Sequence, residues 1–287
     1  MQQQTLTASP GLEAREVVVA GVAVRYTDNP GPDRGDRLPT VLVHGTGGST
    51  ATHFAFIEPM LATRSRVIAI DLSEPEGDDL ELDDLVAQVA AVIEDAVPAT
   101  AVTVLGYSLG AVVAAAFAAR HPSVARQLVL VAGWLRTDAQ QRLRNEIWTQ
   151  LAAVSPQALA EYSTFCAFGS PFLHTRTDAQ VAELHRVAEP SSFLRKQMQL
   201  NRDIDITDEA TAIASRALVI GLTEDHMVPR HHSQELFGAI EDARYAELPT
   251  GHAVVFERPA QLFALIDEFT GHPDRHPAGS VITPPLP

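Results

Sequence analysis

The chain has 287 residues, 46% of them hydrophobic, and a formal net charge of −15. That length and apolar content suffice for a sizeable core in one large domain or two small ones. The acidic balance argues against a nucleic-acid partner, whose phosphates would repel it, and a single cysteine, Cys166, rules out an intramolecular disulfide and suits a reducing cytoplasm.

Met1 to Leu12 is polar and reads as a disordered leader, without the basic start and apolar run of a signal peptide. No stretch is long and apolar enough to cross a bilayer, so no membrane partner is expected. Lys196 is the only lysine, and with abundant arginine and alanine this suggests a GC-rich bacterial genome. Glu16 to Tyr26 reads as a β-hairpin broken at Ala20-Gly21, and Asp28 to Pro39 as a Pro/Gly-rich surface loop. Thr40 to Val43 is a buried strand that runs into the glycine-rich turn His44-Gly45-Thr46-Gly47-Gly48. Ala51 to Thr63 reads as a helix, Arg66 to Ile70 as a strand ending at Asp71, and Leu82 to Val97 as an amphipathic helix after an acidic loop.

Val102 to Gly106 is an apolar, β-branched strand, and an alanine-rich helix begins at Gly110. Between them stands Ser108, in a G-x-S-x-G pattern at a strand-to-helix junction. Such a turn is too tight for side chains on the flanking residues, and the helix that follows aims its N-terminal amides at the same spot. Gln127 to Val131 is a further strand. Alternating strands and helices imply a mostly parallel sheet covered on both faces, an α/β fold with its ligand site at the carboxyl ends of the strands.

Residues 134–211 interrupt the alternation. Helices are predicted over Thr137–Leu151, Pro156–Phe165, Thr177–Ala188 and Ser191–Leu200, forming a cap over the rim. Candidate pocket walls are His53, Phe54, Trp134, Phe165, Phe168 and Met227. The α/β core then comprises residues 13–133 and 212–271. Its second part holds strands at Ala217–Ile220 and Ala243–Leu248 and helices at His231–Ile240 and up to about Phe269. Residues 272–287 are Pro-rich and read as a disordered tail.

A serine hydroxyl needs a base within hydrogen-bond reach, and the base needs an anion to set its tautomer. His252 follows the last predicted strand on the same rim as Ser108, whereas His231 and His232 lie at a helix start and are expected to face solvent. His226 is a further competitor, and His44 is expected to brace its turn by hydrogen bonding. Adjacent histidines lack the spacing of a zinc-helix motif, so no metal site is expected. Asp225 and Glu224 both follow a strand end. Asp225 gains weight because Ser108 and His252 bracket it in the chain order Ser, Asp, His. The glycine-rich turn at His44–Gly48 suits a backbone that points N–H groups at a developing oxyanion, and it lacks both the Walker and the dinucleotide patterns.

These residues together resemble the α/β-hydrolase family over about Glu16 to Thr270. The resemblance rests on His44–Gly48, Gly106–Gly110, the Gly221-x-x-x-Asp225-x-x-Val228-Pro229 run and Gly251-His252. It implies Ser108 as nucleophile, Asp225 as orienting acid and His252 as base, with an oxyanion hole from the amides of Thr46 and Leu109. The loop after Asp71 departs from the Arg-Gly-x-Gly-x-Ser pattern of many members. The implied activity is a serine hydrolase acting on an ester, thioester or similar acyl bond of a small apolar or acyl substrate, with no cofactor. The same triad could instead serve C–C bond cleavage, cyclisation or chain release.

Overall fold

Apolar β-branched runs separated by Gly- and Pro-rich turns become strands, and the amphipathic or alanine-rich runs between them become helices. In a computed structural model that describes residues 13–32 and 37–284, the strands are β1 (Glu13–Val19), β2 (Val22–Asn29), β3 (Thr40–Val43), β4 (Val67–Asp71), β5 (Val102–Tyr107), β6 (Ala125–Val131), β7 (Arg216–Leu222), β8 (Ala243–Leu248) and β9 (Val281–Ile282). They form one sheet in the order β1-β2-β4-β3-β5-β6-β7-β8-β9. β1 and β2 pair antiparallel, as do β2 and β4, and the remaining pairs are parallel. The first hairpin turns at Ala20 and Gly21, both at positive φ, as a two-residue turn requires.

The helices are α1 (Thr50–His53), α2 (Ile57–Ala62), α3 (Leu82–Ala96), α4 (Leu109–Arg120), α5 (Ala139–Val154), α6 (Pro156–Ala167), α7 (Ser170–His174), α8 (Asp178–Ala182), α9 (Ser192–Leu200), α10 (Thr207–Ala212), α11 (Arg230–Ala239), α12 (Val254–Glu257) and α13 (Pro259–Gly271). Successive strand residues point to opposite faces of the sheet. Val41, Val43, Ile68, Ile70 and Val104 therefore join one core cluster with side chains of α3, α4, α10 and α11. Leu42, Val67, Ala69 and Leu105 join the other, with side chains of α2, α12 and α13. β5 is buried along its whole length, as befits a central parallel strand.

Helices α5 to α10 all lie between β6 and β7. This insertion has a small core of its own, formed by Trp148, Ala152, Leu159 and Met198. It also reaches the carboxyl-end loops of the sheet. The Gly47 N–H donates to Gln197 Oε1 at 2.8 Å, and the Ala253 N–H to the Ala167 carbonyl at 2.8 Å.

Three expectations change. The single helix over 51–63 is two short ones, because the chain turns at Phe54 and sends both Phe54 and Ile57 into the core. The helix over 177–188 is only α8, since the residues beyond it are mostly exposed and no apolar face packs to support it. The tail is ordered where it is described. β9 pairs with β8, the Tyr245 N–H donates to the Ser280 carbonyl at 2.9 Å, and Ile282 is buried in the second core cluster. The leader at 1–12 and residues 285–287 lie outside the described residues.

Candidate active site

Ser108 links β5 to α4 at φ 57° and ψ −123°, a conformation that L-residues rarely hold and that marks a strained turn. The flanking glycines answer to crowding. A Cβ on Gly106 would stand 2.1 Å from the Gly110 carbonyl oxygen, and one on Gly110 2.0 Å from that of Val43. The Ser108 N–H donates to the Val131 carbonyl at 2.9 Å, which ties the turn to the neighbouring strand.

The structure brings the three expected side chains together. His252 Nε2 lies 2.9 Å from Ser108 Oγ, and His252 Nδ1 lies 2.7 Å from Asp225 Oδ2. The other carboxylate oxygen, Oδ1, accepts the N–H groups of Met227 and Val228 at 2.7 and 2.9 Å. With the carboxylate accepting from Nδ1, Nε2 is left to accept from the serine hydroxyl. All three residues are buried. The Tyr107 hydroxyl donates to the His252 carbonyl at 2.6 Å and so steadies the histidine backbone. Burial pushes the Tyr107 pKa well up, which keeps it a donor.

Three amides of the glycine-rich turn are engaged. The Gly45 N–H donates to His53 Nδ1 at 3.1 Å, that of Gly47 to Gln197, and that of Gly48 to the Gly45 carbonyl at 3.1 Å. Among the described residues, the N–H groups of Thr46 and Leu109 have no hydrogen-bond partner. His44 braces this turn as expected. Its Nδ1 donates to the Gly45 carbonyl at 2.8 Å and its Nε2 accepts the Leu72 N–H at 3.0 Å.

The six pocket candidates separate. His53 stands beside the site, with its ring centroid 5.0 Å from that of Tyr107. Burial, followed by the neighbouring His44 and His252, pushes its pKa down to about 3. Phe54 (1% exposed) and Trp134 (2%) are core residues, the latter donating from Nε1 to Thr137 Oγ1, so neither offers a wall to a ligand. Phe165 is 62% exposed and stacks on His226. Phe168 packs in an aromatic group with Phe172 and Phe256. Met227 is half-buried on the Asp225 loop.

Other side chains near the site escape motif reading. Gln197 and Asn201, four positions apart on and just after α9, hold the turn through Gly47 and through Thr46 Oγ1 at 2.9 Å. Their one sequence signal is that shared spacing on and just beyond a helix otherwise read only as part of the cap. Arg144 of α5 has an enclosed Nε without a hydrogen-bond partner among the described residues. Burial lowers its pKa, with Cys166, Tyr162 and Asp225 acting in the opposite direction.

His231 is partly exposed, with its side chain 45% accessible, but His232 is 1% exposed. The start of α11 packs against Asp138, which caps α5. Among the described residues, Asp138, His231 and His232 form the one group of three side chains that could hold a metal ion.

Comparison with known proteins bears on the family and the fold. The model of the alpha/beta hydrolase family matches residues 40–265. Pyrrolizixenacetamide deacetylase of Xenorhabdus hominickii is 32% identical over 238 residues, covering 80% of this chain and 89% of that protein. In structure, the chain is similar to Rv0554 of Mycobacterium tuberculosis, with TM-score 0.77 at 24% identity, covering 90% and 98% of the two chains. It is also similar to the enol-lactonase of Burkholderia xenovorans LB400, with TM-score 0.73 at 22% identity, covering 89% and 99%. A mostly parallel sheet with a serine at the β5–α4 turn, and a family model matched from β3 into α13, lead to one conclusion: the chain belongs to the alpha/beta hydrolase family.

Proposed function

We propose that this protein is a serine hydrolase that cleaves an ester, thioester or similar acyl bond through an acyl-enzyme on Ser108. The observation that carries the reading is the continuous relay from Asp225 through His252 to Ser108, with gaps of 2.7 and 2.9 Å. Ser108 Oγ attacks the acyl carbon while His252 Nε2 takes the hydroxyl proton. Asp225 stabilises the imidazolium that forms. The N–H groups of Thr46 and Leu109 donate to the oxyanion. His252 returns the proton to the leaving group, then takes one from the water that releases the acyl chain and regenerates Ser108.

Residues 134–211 act as a cap over this site, and Arg144 within them supplies a donor for a polar group on the substrate. An amide is a second acyl bond within reach, favoured by the relative named as a deacetylase. The lone, buried Cys166 suits a cytoplasmic setting.

A fluorophosphonate probe tests the reading. The wild-type chain is expected to be labelled once, on Ser108, and the Ser108→Ala variant to remain unlabelled. Acyl esters, thioesters and amides of varied length then rank the leaving groups. A wild-type protein that binds these compounds but is never acylated would remove the hydrolase reading.

A further inference from the structure

Apart from the triad, three ligating side chains from two distant parts of the chain converge. Asp138 caps α5. Its Oδ1 accepts the Gln141 N–H at 2.8 Å, which leaves Oδ2 facing away from the helix bond. His231 and His232 stand in the first turn of α11, with ring centroids 4.1 Å apart. Asp138 Oδ2 lies 3.3 Å from His231 Nε2 and 3.4 Å from His232 Nε2. One donor atom from each of the three lies within 4.8 Å of the others.

His231 hydrogen-bonds Asp138, but His232 sets the group apart from an ordinary polar contact. His232 is 1% exposed, yet neither of its ring nitrogens has a hydrogen-bond partner among the described residues. Buried imidazole nitrogens are normally satisfied, so an unpartnered pair calls for a reason. The distances supply one. A charge-assisted hydrogen bond between imidazole and carboxylate closes to about 2.8 Å. Ligand atoms about 2.1 Å from a tetrahedral zinc ion stand about 3.4 Å from one another. The two separations from Asp138 Oδ2, 3.3 Å to His231 Nε2 and 3.4 Å to His232 Nε2, are near the second spacing, the first of them also being a long hydrogen bond. His231 is partly exposed, so an ion has a path in from solvent and water has access to a fourth position.

We propose that Asp138 Oδ2 and the Nε2 atoms of His231 and His232 form a three-ligand site for a divalent transition cation of the zinc type. Two imidazoles and a carboxylate are the donor set such an ion favours. The ion would tie the first helix of the insertion to α11 of the core. α11 begins just after the loop that holds Asp225, so the tie also steadies that loop. The site is structural and supplies no step of the acyl chemistry, and it stands whether or not Ser108 forms an acyl-enzyme.

The test uses the full chain without an affinity tag, stripped with a chelator. Zn2+ binding is followed by calorimetry and by the melting temperature, and Co2+ binding by its visible absorption. One equivalent of Zn2+ is expected to bind and to raise the melting temperature, and Co2+ is expected to give the bands of a four-coordinate ion. His231→Ala changes a partly exposed side chain, and Asp138→Asn keeps the helix cap. Each is expected to weaken Zn2+ by at least about tenfold. Circular dichroism establishes that both variants are folded. Absence of saturable one-to-one binding in the wild type would overturn the proposal, as would binding unchanged in both folded variants.

Discussion

His53 shows how one side chain links the site to stability. Its Nδ1 accepts the Gly45 N–H, a bond that only the neutral ring can keep. Enclosure and the nearby His44 and His252 hold its pKa near 3, below the ordinary value of 6.5. Between those two values the unfolded chain binds a proton that the folded chain refuses. Stability therefore rises with pH across that window and is lost as pH falls from about 6.5 toward 3. The urea midpoint is expected to drop on acidification through this range, and His53→Gln to show a flatter dependence than wild type. An identical slope in the two proteins would assign the effect to other groups, of which buried His44, its pKa also lowered, is the first to test.

At the scale of an element, α9 governs the glycine-rich turn. Gln197 and Asn201 grip Gly47 and Thr46, while Leu194 packs against Gly47. The acidic loop after Asp71 fixes the helix in turn. Glu74 accepts from Ser192 at 2.6 Å and pairs with Lys196 at 2.9 Å. A displacement near 1 Å at a reacting centre can cost about a hundredfold in rate. Asn201→Leu is therefore expected to lower kcat by roughly 10- to 100-fold with a smaller change in KM. Steady-state kinetics and the rate of fluorophosphonate labelling check this. Equal labelling rates for variant and wild type would separate α9 from the proposed oxyanion site.

At the scale of the molecule, the carboxyl-terminal segment closes one edge of the sheet. β9 lies along β8, the Gly279 N–H donates to the Ala243 carbonyl at 2.8 Å, and Arg244 Nε donates to the His276 carbonyl at 2.7 Å. Removing residues 272–287 uncovers the backbone of β8, an edge that invites pairing with another chain. The truncated protein is expected to melt several degrees lower, at about 2–4 °C per kcal/mol lost, and to aggregate sooner. Differential scanning calorimetry and light scattering read both effects. Unchanged melting would make β9 a bystander.

The residues 106–110 announced their turn because the constraint is local: β5, the serine and α4 meet within five positions, and only glycines fit where backbones touch. Strand alternation and the order Ser108, Asp225, His252 were legible for the same reason, since each residue follows a strand whose apolar pattern is short-range. Composition could not sort the aromatics. Phe54 and Trp134 went to the core and Phe165 to the surface, because burial depends on what a side chain meets from distant segments. The grip of Gln197 on Gly47 spans 150 positions, and the meeting of Asp138 with His231 spans 93. Periodicity carries no term for such separations, so the tertiary packing alone decided them.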